Sequence, residues 1–292
     1  MIDQFLNYMR YEKGRSELTA QEYERTLKGF QSYFEQREIG LSWSLVDADL
    51  VRDWMEFQMD RGVKASTVNK NLSVLRSFYR YALRVGLVTV DPIAKVKGPK
   101  REKPLPQFVK ESEMDLLLEK DKWTESFKDI RARTILILLY ETGMRLAELT
   151  GLDDADIDFH ASHLKVTGKR NKQRVIPFGE RIATDLKDYV EVRNKEVGRM
   201  TTAFFVDDNG QRMASWKVYY IVRKNLGLVT TLKKRSPHVL RHTFATAMLN
   251  NGANIESVQK LLGHASVGTT EIYTHTTFEQ LKQAYKKAHP RG

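Results

Sequence analysis

One segment of this chain, residues 95–107, interrupts the helical periodicity that precedes and follows it. Its sequence, KVKGPKREKPLPQ, contains three prolines, one glycine and five Lys/Arg against one Glu, and it shows no apolar periodicity. Such a composition is typical of an extended linker. A length of 292 residues also favours more than one domain. We therefore predict a first domain over residues 1–94, a basic linker over 95–107 and a second domain over 108–292.

Positive charge is concentrated in two regions of the chain, within a net charge of +11. Residues 1–60 contain seven Lys/Arg against twelve Asp/Glu, whereas residues 61–100 contain nine Lys/Arg against one Asp. Residues 211–250 contain eight Lys/Arg and no Asp or Glu. Ordinary solubility is one explanation of a basic balance. Two separate regions that are nearly free of acidic residues favour a polyanion that is bound at two places.

Composition also disfavours several classes of protein. The absence of cysteine excludes disulfide-stabilised folds and catalysis by a thiolate. The longest apolar run, residues 135–140, is far shorter than the roughly 20 residues of a membrane-spanning helix. The first residues, MIDQFLNYMRYEKG, lack the apolar centre of a signal peptide. We expect a soluble, cytoplasmic protein with no membrane partner.

Apolar residues recur at helical spacing in four stretches of the first domain, which predicts four helices. Thr19 and Glu22 have the spacing of a capping box at the start of the second helix. Asp47 or Asp49 is predicted to cap the third helix. The fourth is predicted to run from near Ser66 to a stop at Gly86.

The fourth predicted helix has a basic face. Arg76, Arg80 and Arg84 recur at i, i+4 and i+8, where like charges repel one another unless an anion lies nearby. A solvated helix face is the alternative, but we favour contact with a DNA backbone. The residues predicted to contact DNA are Lys70, Arg76, Arg80, Arg84, Lys97, Lys100, Arg170 and Lys172.

The second domain is predicted to open with helices at about 111–120 and 126–141, followed by a short helix after Gly143. The pattern then changes, because HLKV and RVIPF read as short strands joined by the hairpin TGKRNKQ. Residues 204–206 are a candidate third strand, and helices are predicted from Trp216 to the end. The predicted fold is mainly α, with a small antiparallel β-sheet in the second domain.

Six residues of the second domain form a candidate set for chemistry on a phosphodiester. Arginine binds phosphate bidentately, an ammonium or imidazole can move a proton, and a phenol can act as a nucleophile. His238 and Arg241 are three positions apart and share a helix face. Gly263 predicts a helix end that leaves His264 in the turn beyond it. The candidates are Arg145, Lys169, His238, Arg241, His264 and Tyr273.

Each candidate also has an ordinary structural explanation. Arg145 could be an ordinary surface residue. Lys169 could belong to a general phosphate-binding loop, and Tyr273 could be a core residue. His238 and His242, at i and i+4, could bind zinc. Val239 stands where the metalloprotease motif has glutamate, however, and no cysteine is available to complete a ligand set. We predict no metal and no cofactor.

The order and spacing of five motifs are more specific than any single residue. The motifs are ETGMRLAELTGL, TGKRNKQRVIPF, SPHVLRHTFAT, KLLGHAS and TTEIYTH. With them, the sequence resembles the tyrosine recombinase, or phage integrase, family over nearly its whole length. This resemblance implies a helical, SAM-like core-binding domain and a catalytic domain, which together form a C-shaped clamp on DNA.

The resemblance also implies a role for each candidate. Tyr273 would attack the scissile phosphate to give a 3′-phosphotyrosyl intermediate, and Lys169 would protonate the departing 5′-oxygen. Two rounds of exchange through a Holliday junction would need neither ATP nor a metal. The two catalytic arginines, the two histidines and the acidic residue that supports the first arginine would be Arg145, Arg241, His238, His264 and Glu148.

Length and the ending AHPRG are most similar to Xer-type members of the family, which resolve chromosome dimers. This similarity implies double-stranded DNA with a dif-like inverted-repeat site, a homo- or hetero-tetramer of recombinases and a septal DNA translocase as partners. A predicted helix over residues 277–288 would be exchanged between protomers, with docking on its own domain as the alternative. An integrase of a mobile element, a type IB topoisomerase and a sequence-specific DNA-binding protein without catalysis are the alternative functions.

Overall fold

The structure is a computed structural model that describes residues 1–37, 42–100, 107–168, 171–263, 283–285 and 287–289. The chain divides into two compact units, Met1–Pro104 and Leu105–Gly292. The described residues are mostly helical, with one small antiparallel sheet in the second unit, which confirms the predicted fold class. Among them, no helix is both long enough and apolar enough to cross a membrane.

The first unit contains the four predicted helices around an aromatic core. They are α1 (Ile2–Asn7, extended by a π-helical turn over Tyr8–Glu12), α2 (Glu17–Arg37), α3 (Ala48–Asp60) and α4 (Ala65–Arg84). Trp43 packs on Phe78 with ring centroids 4.4 Å apart, and Phe30 packs on Trp54 at 4.8 Å. Because these rings come from different helices and from the segment before α3, they fix the helices relative to one another.

One predicted helix start is wrong. The capping box at Thr19 and Glu22 is not formed, because α2 already begins at Glu17. Ser16 occupies the capping position, where its Oγ accepts the Thr19 N–H at 3.4 Å. The predicted cap of α3 is confirmed at Asp47, whose side chain accepts the Leu50 N–H at 2.8 Å.

Residues 93–100 pack against α4, which differs from the linker predicted to begin at residue 95. Val96 is buried in the core of the first unit. Its carbonyl accepts a hydrogen bond from Arg76 Nη2 at 2.7 Å, and the carbonyl of Pro99 accepts one from Asn69 Nδ2 at 2.8 Å. Ile93 and Val96 therefore anchor this basic, proline-containing segment in the core, and hydrogen bonds to α4 hold the residues that follow.

The second unit contains a three-stranded antiparallel sheet in the order β1-β2-β3. The strands are β1 (Ile157–Asp158), β2 (His163–Thr167) and β3 (Gln173–Pro177), with Val166 opposite Arg174. The helices described in this unit are α5 (Glu111–Leu118), α6 (Phe127–Thr142), α7 (Leu146–Thr150), α8 (Glu180–Val197), α9 (Ser215–Val229), α10 (Pro237–Asn250) and α11 (Ile255–Leu262). Short 3₁₀ turns cover Lys120–Lys122 and Asp154–Asp156.

Two elements of this unit differ from the prediction. The third strand is β1, not residues 204–206, which make only an isolated bridge between Val206 and Arg212. Phe204 and Phe205 are buried against Tyr189, so their apolar character reflects core packing. Tyr189 lies on α8, a helix that was not predicted. Its apolar residues are few and lie among many charged residues, so the helical periodicity is weak.

Helix α6 is the centre of the second unit. Its residues from Ile135 to Tyr140 are fully buried, as expected for a helix that is apolar on all sides. It ends at Gly143 in the left-handed conformation, at φ 60°. A Cβ atom at Gly143 would lie 2.5 Å from the Phe244 ring and 2.9 Å from Leu262. Glycine is therefore required there both for backbone conformation and for the close approach of α10 and α11.

Replacing Gly143 with alanine is expected to destabilise the protein more than the matched change Gly252→Ala. Both glycines have positive φ, and a left-handed alanine costs about 1 kcal/mol. A Cβ at Gly252 meets nothing within 4 Å, whereas one at Gly143 overlaps Phe244, which adds roughly 1–3 kcal/mol of overpacking. Urea unfolding of the two variants measures the difference. Equal losses of stability would contradict this account of Gly143.

The described residues near the chain end pack on the second unit of the same chain. Tyr285 and Ala288 are buried in a cluster with Phe244, Met248 and Leu261. The ring of His289 stacks on Tyr285 at 5.1 Å between centroids and on Phe244 at 5.6 Å. In the single chain, this end therefore docks on its own domain. Most of the predicted helix over 277–288 lies outside the described residues, and its exchange between protomers stays a prediction.

Candidate active site

Arg145 stands at the start of α7, directly after the break at Gly143. Its backbone N–H donates to Glu148 Oε2 at 2.7 Å and its Nη1 donates to Glu148 Oε1 at 2.8 Å. Its Nη2 donates to the carbonyl of Gly263 at 3.1 Å. The side chain is 41% exposed, so part of the guanidinium remains open to a ligand.

Glu148 is the buried carboxylate beneath this arginine. Arg174, on β3, reaches it with two parallel hydrogen bonds, from Nη1 at 2.6 Å and from Nη2 at 2.9 Å. Burial alone would raise the pKa of Glu148, but the hydrogen bonds and charge of Arg174, together with the hydrogen bonds of Arg145, hold that pKa below its usual value. The carboxylate is therefore ionised at neutral pH and keeps both arginines in place.

Arg241 is buried on α10 and lies close to both of these arginines. Its Nη1 donates to the carbonyl of Gly143 at 2.7 Å and its Nη2 donates to the carbonyl of Leu262 at 2.6 Å. Burial, followed by the positive charges of Arg145 and Arg174, lowers the pKa of Arg241 to about 10. Its guanidinium is still charged at neutral pH, in a region where positive charge is in excess.

The carboxyl end of α11 joins the three arginines. Arg174 Nε, Arg241 Nη2 and Arg145 Nη2 donate to the consecutive carbonyls of Leu261, Leu262 and Gly263. The last carbonyls of a helix have no partner within the helix and carry its partial negative charge. Three guanidiniums thus converge on one helix end beside a single carboxylate, an arrangement we call the arginine cap.

His238 stands in the first turn of α10, one turn before Arg241. Its side chain reaches the surface but is covered in part by the protein. This partial burial, followed by the positive charges of Lys234, Arg241 and His242, lowers the pKa of His238. The imidazole is therefore mainly neutral at pH 7, so it can accept or donate a proton. Among the described residues, no three His, Asp or Glu side chains come together as a possible metal site.

The structure brings together Arg145, Arg241 and the supporting Glu148, with His238 on the same helix as Arg241. Lys169, Arg170, His264 and Tyr273 lie outside the described residues. Their neighbours are described: the Gly168 N–H donates to the Lys172 carbonyl at 2.7 Å and closes the predicted hairpin. Gly263 ends α11 in the left-handed conformation, as predicted, one residue before His264.

Some of the residues predicted to contact DNA already bind other groups of the protein, and others do not. Lys70 forms an ion pair with Glu22, and Arg84 stacks over the Tyr8 ring at 4.3 Å. Arg76 donates to the Val96 carbonyl. Exposed side chains with no ion pair or side-chain hydrogen bond to another described residue belong to Arg80, Lys97, Lys100 and Lys172.

Two features of the second unit were not singled out from the sequence. The first is Arg174, whose burial depends on a partner 26 positions earlier. The second is the outward side of α9, where three aromatic rings are followed by two cations within the acid-free region 211–250. This surface, the α9 face, consists of the exposed residues Trp216, Tyr219, Tyr220, Arg223 and Lys224. The recurrence of these aromatic and basic residues at helical spacing was the signal that could have identified it.

Comparison with known proteins agrees with the sequence motifs. The phage integrase family matches residues 107–280, and the SAM-like amino-terminal domain of phage integrases matches residues 2–86. The chain therefore belongs to the phage integrase family of tyrosine recombinases, enzymes that break and rejoin DNA.

Its relatives include Xer recombinases. Tyrosine recombinase XerC of Chlorobaculum tepidum is 37% identical, over 100% of this chain and 94% of the relative. Tyrosine recombinase XerD of Staphylococcus epidermidis is 34% identical, over 100% of this chain and 99% of the relative. The fold is similar to that of XerH site-specific recombinase bound to a palindromic difH substrate, with a TM-score of 0.73, 22% identity and coverage of 97% and 84%.

Proposed function

We propose that this chain is a Xer-type recombinase that resolves chromosome dimers by cutting and rejoining double-stranded DNA at a dif-like inverted repeat. The observation that carries this proposal is the arginine cap. Relatives named XerC and XerD, at about 35% identity over the whole chain, support the Xer assignment over an integrase of a mobile element.

The arginine cap has the charge that a phosphodiester requires. Three guanidiniums lie near one carboxylate, and burial, followed by the charges of Arg145 and Arg174, lowers the pKa of Arg241. An anion bound beside Arg145 and Arg241 relieves this repulsion, and charge on the non-bridging oxygens grows as the phosphorus becomes pentacoordinate. Because the arginines are fixed by backbone carbonyls and Glu148 beforehand, little reorganisation is needed when that charge develops.

Cleavage on this proposal is a direct displacement at phosphorus. The Tyr273 phenol gives its proton to the neutral His238 imidazole and its oxygen forms a bond to the scissile phosphorus, while the bond from phosphorus to the 5′-oxygen breaks. Lys169 gives a proton to the departing 5′-oxygen, which becomes a free hydroxyl. His238, largely neutral at pH 7, assists the movement of protons, and His264 donates a hydrogen bond to the transition state. The ester to Tyr273 conserves the energy of the bond, so rejoining needs no ATP and no metal.

DNA contacts in each unit follow from the exposed cations. In the first unit, Arg80 on α4 and the lysines at 97 and 100 face solvent and are suited to phosphates. In the second unit, the α9 face adds aromatic rings that can lie against sugars and bases. The similar fold of XerH, which was solved bound to its palindromic substrate, supports double-stranded DNA as the ligand. Two domains closing as a clamp around the duplex complete the proposal.

Strand exchange needs more than one protomer. We propose a homo- or hetero-tetramer on two DNA sites, in which the segment 277–288 leaves its own domain and docks on a neighbour. Tyr285 and Ala288 supply the apolar surface for either position, since both are buried in the single chain. A cytoplasmic location and activation by a septal DNA translocase belong to the same proposal.

Replacing Arg80 with alanine is expected to weaken DNA binding and to reduce the slope of log K against log salt by about one. The reason is that Arg80 is exposed and unengaged by other described residues, so its charge is available to a phosphate. Arg52→Ala is the matched control, because Arg52 is an exposed arginine of the same unit that is paired with Asp49. Filter binding from low to moderate salt measures both. An unchanged slope for Arg80→Ala, or an equal change for Arg52→Ala, removes α4 from the DNA interface.

A nicked duplex that carries the inverted repeat tests the proposed function as a whole. The nick lets the cleaved end diffuse away, so an adduct resistant to SDS accumulates, and it is expected in EDTA as well as in magnesium. Specific binding without an adduct would favour a DNA-binding regulator. Relaxation of supercoiled DNA without site preference would favour a type IB topoisomerase. Sequencing the DNA bound in cells separates a host dif-like site from the ends of a mobile element.

A further inference from the structure

We infer that Arg174 is a positioning residue for the cleavage reaction. It connects the carboxylate of Glu148, which holds Arg145, to the carboxyl end of α11, which precedes His264. This inference rests on the proposed function, because it concerns the same site. Arg174 touches neither the substrate nor the reacting atoms on this account. It acts through Glu148 and through the carboxyl end of α11.

Arg174 occupies a core position of a strand. Along β3, Arg174 and Ile176 are buried while Gln173 is exposed, so the strand turns this charged side chain inward where an apolar residue is the usual choice. A buried charge is unfavourable unless it is paired and hydrogen-bonded. Arg174 is only 6% exposed. Its partners must therefore lie inside the protein.

Those partners are two parts of the site that lie far apart in the chain. Nη1 and Nη2 bind the two oxygens of Glu148 as a fork, and Nε donates to the carbonyl of Leu261 at 2.9 Å. One planar guanidinium thus fixes residue 148 and residue 261 at a set distance. Lysine, with a single nitrogen, cannot make both contacts in this geometry.

The contacts of Arg174 continue to Arg145. Glu148 Oε1 accepts from Arg174 Nη1 and from Arg145 Nη1, so one oxygen links the two arginines. A Cβ atom at Gly263 would lie 2.9 Å from Arg174 Nη1, which shows that the turn after α11 lies directly against this guanidinium. The carbonyl of the same glycine accepts from Arg145. Loss of Arg174 therefore loosens both the carboxylate that orients Arg145 and the turn that leads to His264.

The pH dependence of cleavage distinguishes this role from a merely structural one. The pKa of Glu148 is depressed in the folded protein, so the stabilisation it provides is present above its unfolded pKa and is lost as pH falls through the folded value. Without Arg174 the depression is smaller. The carboxylate then takes up a proton at higher pH, and Arg145 loses its partner there. Cleavage by the variant is expected to fail in mildly acidic solution, where the wild type still cleaves.

The experiment measures single-turnover cleavage of the nicked duplex between pH 5 and pH 8 for wild type, Arg174→Lys and Arg133→Lys. Arg133 is the matched control: it is buried in the same unit, donates to Asp185 at 2.6 Å and to the Leu118 carbonyl, and makes no contact with the arginine cap. Arg174→Lys is expected to cleave about 100-fold more slowly, the scale of a 1 Å misplacement, with its acid limb moved to higher pH and DNA binding unchanged. Arg133→Lys is expected to lower stability without moving the acid limb.

A double variant guards against loss of the fold. In Arg174→Met with Glu148→Met, two apolar side chains replace a buried ion pair, a change that is often neutral for stability. Recovered thermal stability together with slow cleavage supports the inference. Cleavage at the wild-type rate with an unchanged pH profile in Arg174→Lys, or in the double variant, overturns it. If wild type itself forms no adduct, the proposed function fails, and this outcome is separate from either result.

Discussion

Replacing Tyr273 with phenylalanine is expected to abolish the covalent protein–DNA adduct while leaving binding to the site intact. In the proposed mechanism the phenol oxygen becomes bonded to phosphorus, and phenylalanine preserves the ring but has no oxygen to form that bond. Cleavage should therefore fall below detection and not merely slow. The measurement is accumulation of an SDS-resistant adduct on the nicked duplex, beside a mobility-shift titration of the same DNA.

Tyr11→Phe provides the control for this change. Tyr11 is 82% exposed in the first unit and has no part in the proposed chemistry, so its hydroxyl should be dispensable. An adduct formed by Tyr273→Phe at a normal rate would show that a different residue is the nucleophile. Peptide mapping of the adduct would then identify that residue.

The second large effect is expected at Arg241. Alanine at this position should slow cleavage by about 10²–10³-fold, corresponding to ~3–4 kcal/mol of lost transition-state stabilisation. The reason is that Arg241 is placed by the carbonyls of Gly143 and Leu262, so its charge is fixed before the reaction begins. DNA affinity should change little, since much of the affinity comes from contacts to phosphates elsewhere on the duplex.

Stability must be measured alongside, because the alanine also removes the Arg241 donor from the buried carbonyls of Gly143 and Leu262. Each such carbonyl costs roughly 1–3 kcal/mol. Arg241→Lys retains the charge but cannot bridge both carbonyls, and it should remain severely slowed. Arg199→Lys is the control for an arginine-to-lysine change at the surface, because Arg199 is 69% exposed, pairs with Asp154 and has no part in the proposed DNA contacts. Near-normal cleavage by Arg241→Lys would mean that charge alone, without fixed geometry, suffices.

Local signals in the sequence were enough to predict much of the fold. Gly143 and Gly263 were predicted as helix ends, and both adopt the left-handed conformation that favours glycine there. Such signals depend on a few neighbouring residues. The cap at Asp47 and the two strands of the hairpin were predicted from local signals as well. Capping residues and alternating apolar residues can both be recognised within a few neighbouring positions.

The parts that could not be predicted depend on partners distant in sequence. Arg174 looks like one more cation after a basic hairpin, and only the pairing with Glu148 reveals it as a core residue. Arg76 has the spacing of a DNA contact, yet residues 93–100 fold back over α4 and its guanidinium binds the Val96 carbonyl. In both cases the sequence identifies a positively charged residue, but it does not identify the group that the residue binds in the folded protein.

The arginine cap has a consequence for how the site can vary. The acceptors on α11 are main-chain carbonyls, which every amino acid supplies, so the side chains of that helix can be exchanged without removing a single anchor of the three arginines. The residue at which α11 ends, however, must stay the same. Lengthening or shortening α11 by one residue would rotate its final carbonyls by about 100° and remove one hydrogen bond from each of the three guanidiniums at once. The position at which α11 ends therefore matters more to the arginine cap than the identity of the side chains that the helix carries.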